Sequence, residues 1–227
     1  MPDEVCPLCE GRGVILTQTE DGVLYSRPCK CMEIRAAKKR IENSGLGDLF
    51  DACTFKTFQT PDEWTRRALE VAVDYARNGR GKWLYISGHP GTGKTHLCTA
   101  VCRYLIKKGA PVRYMLWRED APKLKALLTD AAAYEAAFRD LAEAPVLYID
   151  DFFKQRGEPS AGDINLAFAL LNARYNAKNK RTILSSELPL KAVRDIDPAI
   201  ESRITERASG YILNAPAGQQ NWREKSK

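Results

Sequence analysis

Residues 83–95 read WLYISGHPGTGKT, and the fold turns on them. Trp83 to Ser87 form a short apolar run of strand length, Gly88 to Thr95 match the pattern G-x-x-x-x-G-K-[ST], and a helical period follows from Lys94. Strand, loop and helix in that order are the setting in which the pattern binds phosphate. Gly88, Gly91 and Gly93 allow the bends that turn successive backbone N–H groups inward, and the positive end of the next helix adds to the attraction. Lys94 is expected to neutralise the β and γ phosphates of ATP, and Thr95 to offer its hydroxyl to Mg²⁺. The expected nucleotide-binding segment is therefore Gly88, His89, Pro90, Gly91, Thr92, Gly93, Lys94, Thr95 and His96.

Such a site needs an acidic second half. Residues 146–151 read VLYIDD, a buried strand ending in two carboxylates. Asp150 is placed to hold Mg²⁺ through its water shell, and Asp151 to orient or polarise the attacking water as a general base. Around these motifs, short apolar runs alternate with longer helical periods, the pattern of a parallel sheet with crossover helices. The strands expected are 83–87, 112–117, 146–150, 182–186 and 211–213, with helices near 94–108, 121–130, 133–142, 163–176 and 198–208. Ahead of the sheet, Thr60-Pro61-Asp62-Glu63 predicts a helix over 61–77, with Thr60 as N-cap and Glu63 as its return partner. The fold class is α/β, a P-loop NTPase with a small N-terminal appendage.

Cysteine sets the appendage apart. Cys6-x-x-Cys9 and Cys29-x-Cys31 supply four thiols in two close pairs, flanking a hairpin-like stretch that turns at Asp21-Gly22. Two such pairs suit a tetrahedral structural Zn²⁺, with a redox pair or free thiols as the competing readings. About thirty residues bury little apolar surface, and bound zinc would supply the folding energy instead. Cys98 and Cys102, four apart on a helix, and the single Cys53 read as core packing. The chain has 227 residues, with 35 Lys plus Arg against 29 Asp plus Glu and a net charge of +6, which is compatible with a polyanionic partner without demanding one. No apolar run reaches the roughly 20 residues of a membrane span, and no basic-then-apolar leader opens the sequence. A cytoplasmic protein is expected, with residues 1–45 as zinc-binding module and linker and 46–227 as the ATPase domain.

Taken in order, the CPLC and PCKC pairs, the Phe55/Phe58 lead-in, GHPGTGKT, YMLWRE (114–119), VLYIDD, TILSSELPL (182–190), SRITER (202–207) and NWR (221–223) resemble the DnaC and DnaI type of bacterial helicase loader. Phage-encoded relatives share the type, which lies within the AAA+ ATPases. The resemblance covers nearly the whole chain. It implies a five-stranded parallel sheet in which the polar strand of TILSSELPL lies between the two nucleotide-binding strands. It implies that Ser186 or Glu187, at the end of that strand, senses the γ-phosphate. Many relatives carry Asn where Glu187 stands, and a carboxylate there either holds the lytic water or repels the nucleotide. An arginine finger acting on a neighbouring subunit's nucleotide is also implied, with Arg207 as first choice and Arg203 as second. Arg223 matches a cis-acting sensor arginine or, on the other reading, belongs to a basic tail. The N-terminal module is implied to dock on the hexameric replicative DNA helicase. Arg35, Lys38, Lys39 and Arg40 would then lie on that surface, on DNA, or simply in solvent.

Binding of single-stranded DNA calls for cations that follow phosphate and aromatic faces on which bases stack. Arg118, Lys123 and Lys125 are the expected contacts, and the loop of Lys178, Lys180 and Arg181 is the other basic patch. Tyr134 and Phe138, four apart on a helix, read as packed. The function expected is that of an ATP-hydrolysing loader, self-associating with nucleotide, which binds the replicative helicase and helps place it on single-stranded DNA. One alternative is an IstB-type transposition accessory ATPase, against which the N-terminal Cys pairs argue. Another is a nucleotide-dependent adaptor that binds ATP and hydrolyses little. A metabolite kinase fits less well, since nothing reads as an acceptor-substrate lid.

Overall fold

The computed structural model describes residues 5–19, 21–42, 47–155, 157–219 and 221. An antiparallel hairpin of β1 (Val14–Gln18) and β2 (Leu24–Pro28) leads into α1 (Lys30–Ile41), followed by α2 (Gly47–Ala52) and α3 (Glu63–Asn78). Strands and helices then alternate: β3 (Trp83–Ser87), α4 (Lys94–Lys107), β4 (Val112–Leu116), α5 (Trp117–Ala126), α6 (Ala131–Glu143), β5 (Val146–Phe152), α7 (Ala161–Asn176) and β6 (Arg181–Ser186). The chain closes with α8 (Leu190–Ile196), α9 (Pro198–Arg207) and β7 (Ile212–Asn214). The sheet is parallel, in the order β4-β5-β6-β3-β7. Strand β6 thus lies between β3 and β5, as the resemblance implied.

Helices cover both faces of the sheet, which is why β3 is buried at every residue and reads as a continuous apolar run rather than an alternating one. One core layer packs Tyr75, Leu97, Val101 and Leu105 of α3 and α4 beneath the sheet. The other packs Trp117, Phe152, Leu170 and Ile204 above it. The second half of α1 joins the first layer, with Ala37 and Ile41 buried against α4 and the β4 edge. That helix covers an edge strand and ties the cysteine-bearing segment to the sheet. No described helix is long and apolar enough to cross a membrane.

Two local expectations are corrected, and one helix was not expected. Helix α3 starts at Glu63 with Asp62, not Thr60, as N-cap: Asp62 Oδ1 accepts from Thr65 N at 2.8 Å and Asp62 N donates back to Thr65 Oγ1 at 3.3 Å. Trp117 opens α5 instead of ending β4, because the Asp120 carboxylate accepts the Leu116 N–H at 2.9 Å and turns the chain into helix. Helix α8, seven residues after Pro189, is too short to show a period in sequence.

Arg174 on α7 is fully buried. Its Nη1 donates to the carbonyls of Leu141, Ala142 and Ala144 at 2.9, 3.1 and 2.9 Å, Nη2 to Arg181 O at 2.5 Å and Nε to Thr182 Oγ1 at 2.9 Å. It satisfies the end of α6 and pins α6, α7 and β6 together. Arg174→Ala should therefore cost about 3 kcal/mol or more, because several buried carbonyls lose their donor and a cavity opens. Urea unfolding measures this, and a cost below about 1 kcal/mol would show that water or backbone relaxation replaces the guanidinium.

Candidate nucleotide-binding site

The phosphate loop follows the C-terminal end of β3. Gly93 is the N-cap of α4 with φ +91°, and a Cβ there would stand 2.9 Å from the Phe58 ring, so only glycine fits both the turn and the wall. Thr92 Oγ1 donates to His89 O at 3.0 Å and closes the loop on itself. Lys94 Nζ lies across it, donating to Gly88 O at 2.6 Å and His89 O at 2.9 Å. Burial pulls the Lys94 ammonium below the ordinary lysine range, against the opposing pull of Glu187, Asp151 and Asp150. Beside the loop lies a cavity of about 460 Å³, walled by Phe58, Pro90, Gly91, Lys94, Thr95, His96, Asp151, Lys154 and Glu187 among others. His96 Nε2 sits 3.0 Å from Thr54 O, and its ring meets Phe58 edge-on at 5.3 Å. The phenylalanine lead-in is thereby fixed as a cavity wall. A Cβ on Gly91 would fall on the Asn221 side chain, so the described end of the chain lies on the phosphate loop. Arg223 lies outside the described residues.

The acidic half of the site is built on a slip in strand register. Ile149 pairs with Leu184 but Phe152 pairs with Ser186, leaving Asp150 and Asp151 opposite Ser185 alone, a β-bulge. The Ser185 hydroxyl donates to Asp150 Oδ1 and accepts the Asp151 N–H at 3.1 Å. Thr95 Oγ1 donates to Asp150 Oδ1 at 3.4 Å and Tyr114 Oη to Oδ2 at 3.3 Å. Burial raises the Asp150 carboxyl above the usual carboxylate range, while the Ser185 hydroxyl draws it back. Past the bulge, Asp151 and Phe153 take φ +53° and +61°. A left-handed Phe costs on the order of 1–3 kcal/mol, and the buried cluster of Phe152, Phe153 and Trp117, with ring centroids 4.2 to 5.5 Å apart, holds it there. This turn brings Lys154 back to the cavity, with Nζ 2.7 Å from Glu187 Oε1 and 3.3 Å from Asp151 Oδ2.

Lys94, Thr95, Asp150, Asp151 and Glu187 therefore converge. Ser186 does not face them: its hydroxyl donates to Phe152 O at 2.8 Å and accepts the Leu188 N–H at 3.1 Å. Arg207 and Arg203 sit on α9, away from the loop. Arg207 Nη2 donates to Gly81 O at 2.6 Å and Lys178 O at 3.1 Å; Gly81 precedes β3 whereas the phosphate loop follows it, so Arg207 marks the opposite end of the sheet. Arg203 stacks over Phe168 at 4.7 Å and donates to Asn172 Oδ1 at 3.0 Å. Lys123 pairs with Asp120 at 3.1 Å and Lys125 with Asp163 at 2.5 Å, while Arg118 is exposed. In the other basic patch, Lys180 pairs with Glu143 at 2.7 Å and Arg181 donates to Gly79 O at 3.1 Å. Tyr134 and Phe138 stack on each other at 5.8 Å. Sequence reasoning missed Ser185, Lys154 and Tyr114, whose places depend on strand pairing.

The four N-terminal cysteines come together as their spacing predicts. Their sulfurs lie within 4.8 Å of one another, with Cys6–Cys29 at 3.7 Å and Cys9–Cys31 at 3.5 Å. A tetrahedral ion with Zn–S bonds of 2.3 Å needs sulfurs about 3.8 Å apart, so the cluster is of the right size. Gly13 N also donates to Cys9 Sγ at 3.4 Å, as suits a thiolate ligand. Cys53, Cys98 and Cys102 are buried in the core, as read from their positions.

A family profile described as IstB-like ATP binding protein matches residues 55–208, from the lead-in phenylalanines through SRITER. The phage-like element PBSX protein XkdC of Bacillus subtilis (strain 168) is 32% identical over 220 residues, covering 92% of this chain and 81% of that protein. The replicative helicase loader DnaC of Escherichia coli (strain K12) is 28% identical over 157 residues, 66% of this chain and 64% of that protein. The fold matches the crystal structure of the DnaC helicase loader with a TM-score of 0.62 at 23% identity, over 74% of this chain and 98% of that one. With the phosphate loop, the acidic strand end and four of the five strands of the sheet inside the matched region, the chain belongs to the family of IstB-like ATP-binding proteins.

Proposed function

We propose that this protein is an ATP-hydrolysing loader that acts in the cytoplasm, binds a hexameric replicative DNA helicase and helps place it on single-stranded DNA. The observation that carries this reading is one chain with two separate sites: a phosphate loop facing an acidic strand end, and a cysteine-built hairpin with an apolar outer surface. Val5, Leu8, Leu16, Val23 and Leu24 of that cysteine module are each more than 60% exposed, which suits a protein interface. Residues 1–45 are the docking module and 46–227 the ATPase part, with α1 shared between them. In the cluster, Zn²⁺ would be architectural, held by Cys6, Cys9, Cys29 and Cys31.

At the nucleotide site, the backbone N–H groups of residues 88–96 and the Lys94 ammonium bind the phosphates, while Thr95 and Asp150 hold the metal. Mg²⁺ held there would supply positive charge to offset that of the phosphates. Asp151 accepts a proton from the attacking water, and Glu187 supplies a second acceptor at the end of β6. Arg207, or else Arg203, serves a neighbouring subunit's nucleotide. Arg207 lies at the end of the sheet opposite its own phosphate loop, which suits action in trans and makes turnover depend on assembly. Arg223 reads the nucleotide in cis. Of the DNA contacts, Arg118 and Lys123 are both exposed, whereas Lys125 is half-buried against Asp163.

The test is native mass spectrometry of the full chain mixed with the replicative helicase of its source organism, with ATP and without nucleotide. A complex with the helicase hexamer that depends on nucleotide is expected, and gives the stoichiometry directly. Absence of that complex, together with capture of a transposase, would replace the loader by a transposition accessory ATPase on the same core.

A further inference from the structure

A carboxylate at the end of the central strand is a liability in a triphosphate site. Glu187 follows β6, which lies beside the strand that delivers the phosphate loop, and it lines the same cavity as Lys94 and Thr95. With Asp150 and Asp151 it makes three carboxylates around the place where an anion binds. The structure answers that charge from an unexpected direction. Lys154, three residues beyond Asp151, is carried back over the cavity by the left-handed turn at Phe153 and contacts both Glu187, at 2.7 Å, and Asp151, at 3.3 Å. The three side chains are each about a quarter to a third exposed, so their charges are only partly screened by water.

We propose that Lys154 is a positioning residue of the phosphoryl-transfer site: by neutralising Glu187 and orienting Asp151, it lets this chain use Glu at the strand end and still admit a γ-phosphate. The inference rests on the ATP-hydrolysing reading of the cavity and deepens it. Glu187 and Lys154 then act as one unit. The ammonium presents the phosphate with a positive group, and the paired carboxylate keeps an oxygen for the lytic water. If Glu187 faces the γ-phosphate, as its place in the cavity beside Lys94 and Thr95 implies, the pair should discriminate between triphosphate and diphosphate, which a purely structural ion pair would not do.

The experiment titrates fluorescent ATP and ADP analogues, with Mg²⁺, against the full chain and three variants. Lys154→Met should weaken the ATP analogue about tenfold or more and the ADP analogue by less than about threefold. Adding Glu187→Gln to Lys154→Met should recover most of the lost ATP affinity, because the uncompensated charge is gone, and Lys154→Arg should retain it. The unchanged ADP affinity shows that the variant is folded. Equal losses for ATP and ADP, no loss at all, or no recovery in the double variant would each overturn the proposal. Failure of the parent chain to bind any nucleotide would overturn both this inference and the reading beneath it. Nucleotide binding without helicase capture would overturn the loader reading alone.

Discussion

Replacing Lys94 by alanine should abolish measurable ATP binding and hydrolysis in every assembly state. The side chain is buried at 6% exposure, and its ammonium lies against the carbonyls of Gly88 and His89, in the loop whose N–H groups would face phosphate. Removing one partner of a desolvated charge pair costs roughly 3 to 5 kcal/mol, which is more than 100-fold in affinity. The fold should not suffer with it. Gly88 and His89 are only half-buried beside the open cavity, so water can replace the ammonium at their carbonyls, and the thermal midpoint of Lys94→Ala should stay close to that of the parent. Loss of binding with retained stability separates a ligand contact from a structural one. The check is nucleotide titration alongside phosphate release, and affinity within about threefold of the parent would remove Lys94 from the site.

The phosphate loop was legible because its chemistry is local. Glycines at fixed spacing shape the backbone, one lysine and one threonine beside them offer an ammonium and a hydroxyl, and the strand before them and the helix after them differ in period. The pair at Asp150 and Asp151 was legible for the same reason, as polar residues ending an apolar strand. Ser185 was not, because its contact with both aspartates arises from the bulge between β5 and β6, and register is a long-range property. Lys154 reads in sequence as one more surface lysine; only the turn at Phe153, held by buried aromatic rings, returns it to the cavity. The cations expected to contact DNA show the converse. Lys125 counts as a spare cation until Asp163, 38 positions away, is found beside it. At the start of α3, Thr60 and Asp62 are both adequate caps, and the choice fell to the one whose carboxylate reaches Thr65.

Loss of the metal site should dismantle the hairpin and leave the nucleotide site standing. Every residue of β2 is exposed and β1 alternates between exposed and half-buried, so the two strands have almost no apolar core of their own. A two-stranded hairpin in water is at best marginally stable, whereas structural zinc in small fingers supplies about 10–16 kcal/mol at neutral pH. The start of α1 depends on the same cluster: Cys29 is its N-cap without a side-chain capping bond, and Cys31 lies in its first turn. Its far end depends on something else, since Ala37 and Ile41 are packed against α4 and β4. Unfolding should therefore stop within α1. Protein purified without added metal is expected to carry one zinc per chain by elemental analysis, and Cys9→Ser or a strong chelator should remove it. Hydrogen exchange should then lose protection over residues 14–28 while β3 and β5 keep theirs, and nucleotide affinity should change by less than about threefold. Helicase capture should be lost in the same sample, because the exposed Leu16, Val23 and Leu24 form one surface only while the hairpin holds its register. A metal-free chain whose hairpin stays protected would show that packing rather than metal holds the module. Docking by the metal-free protein would move the helicase contact off the hairpin.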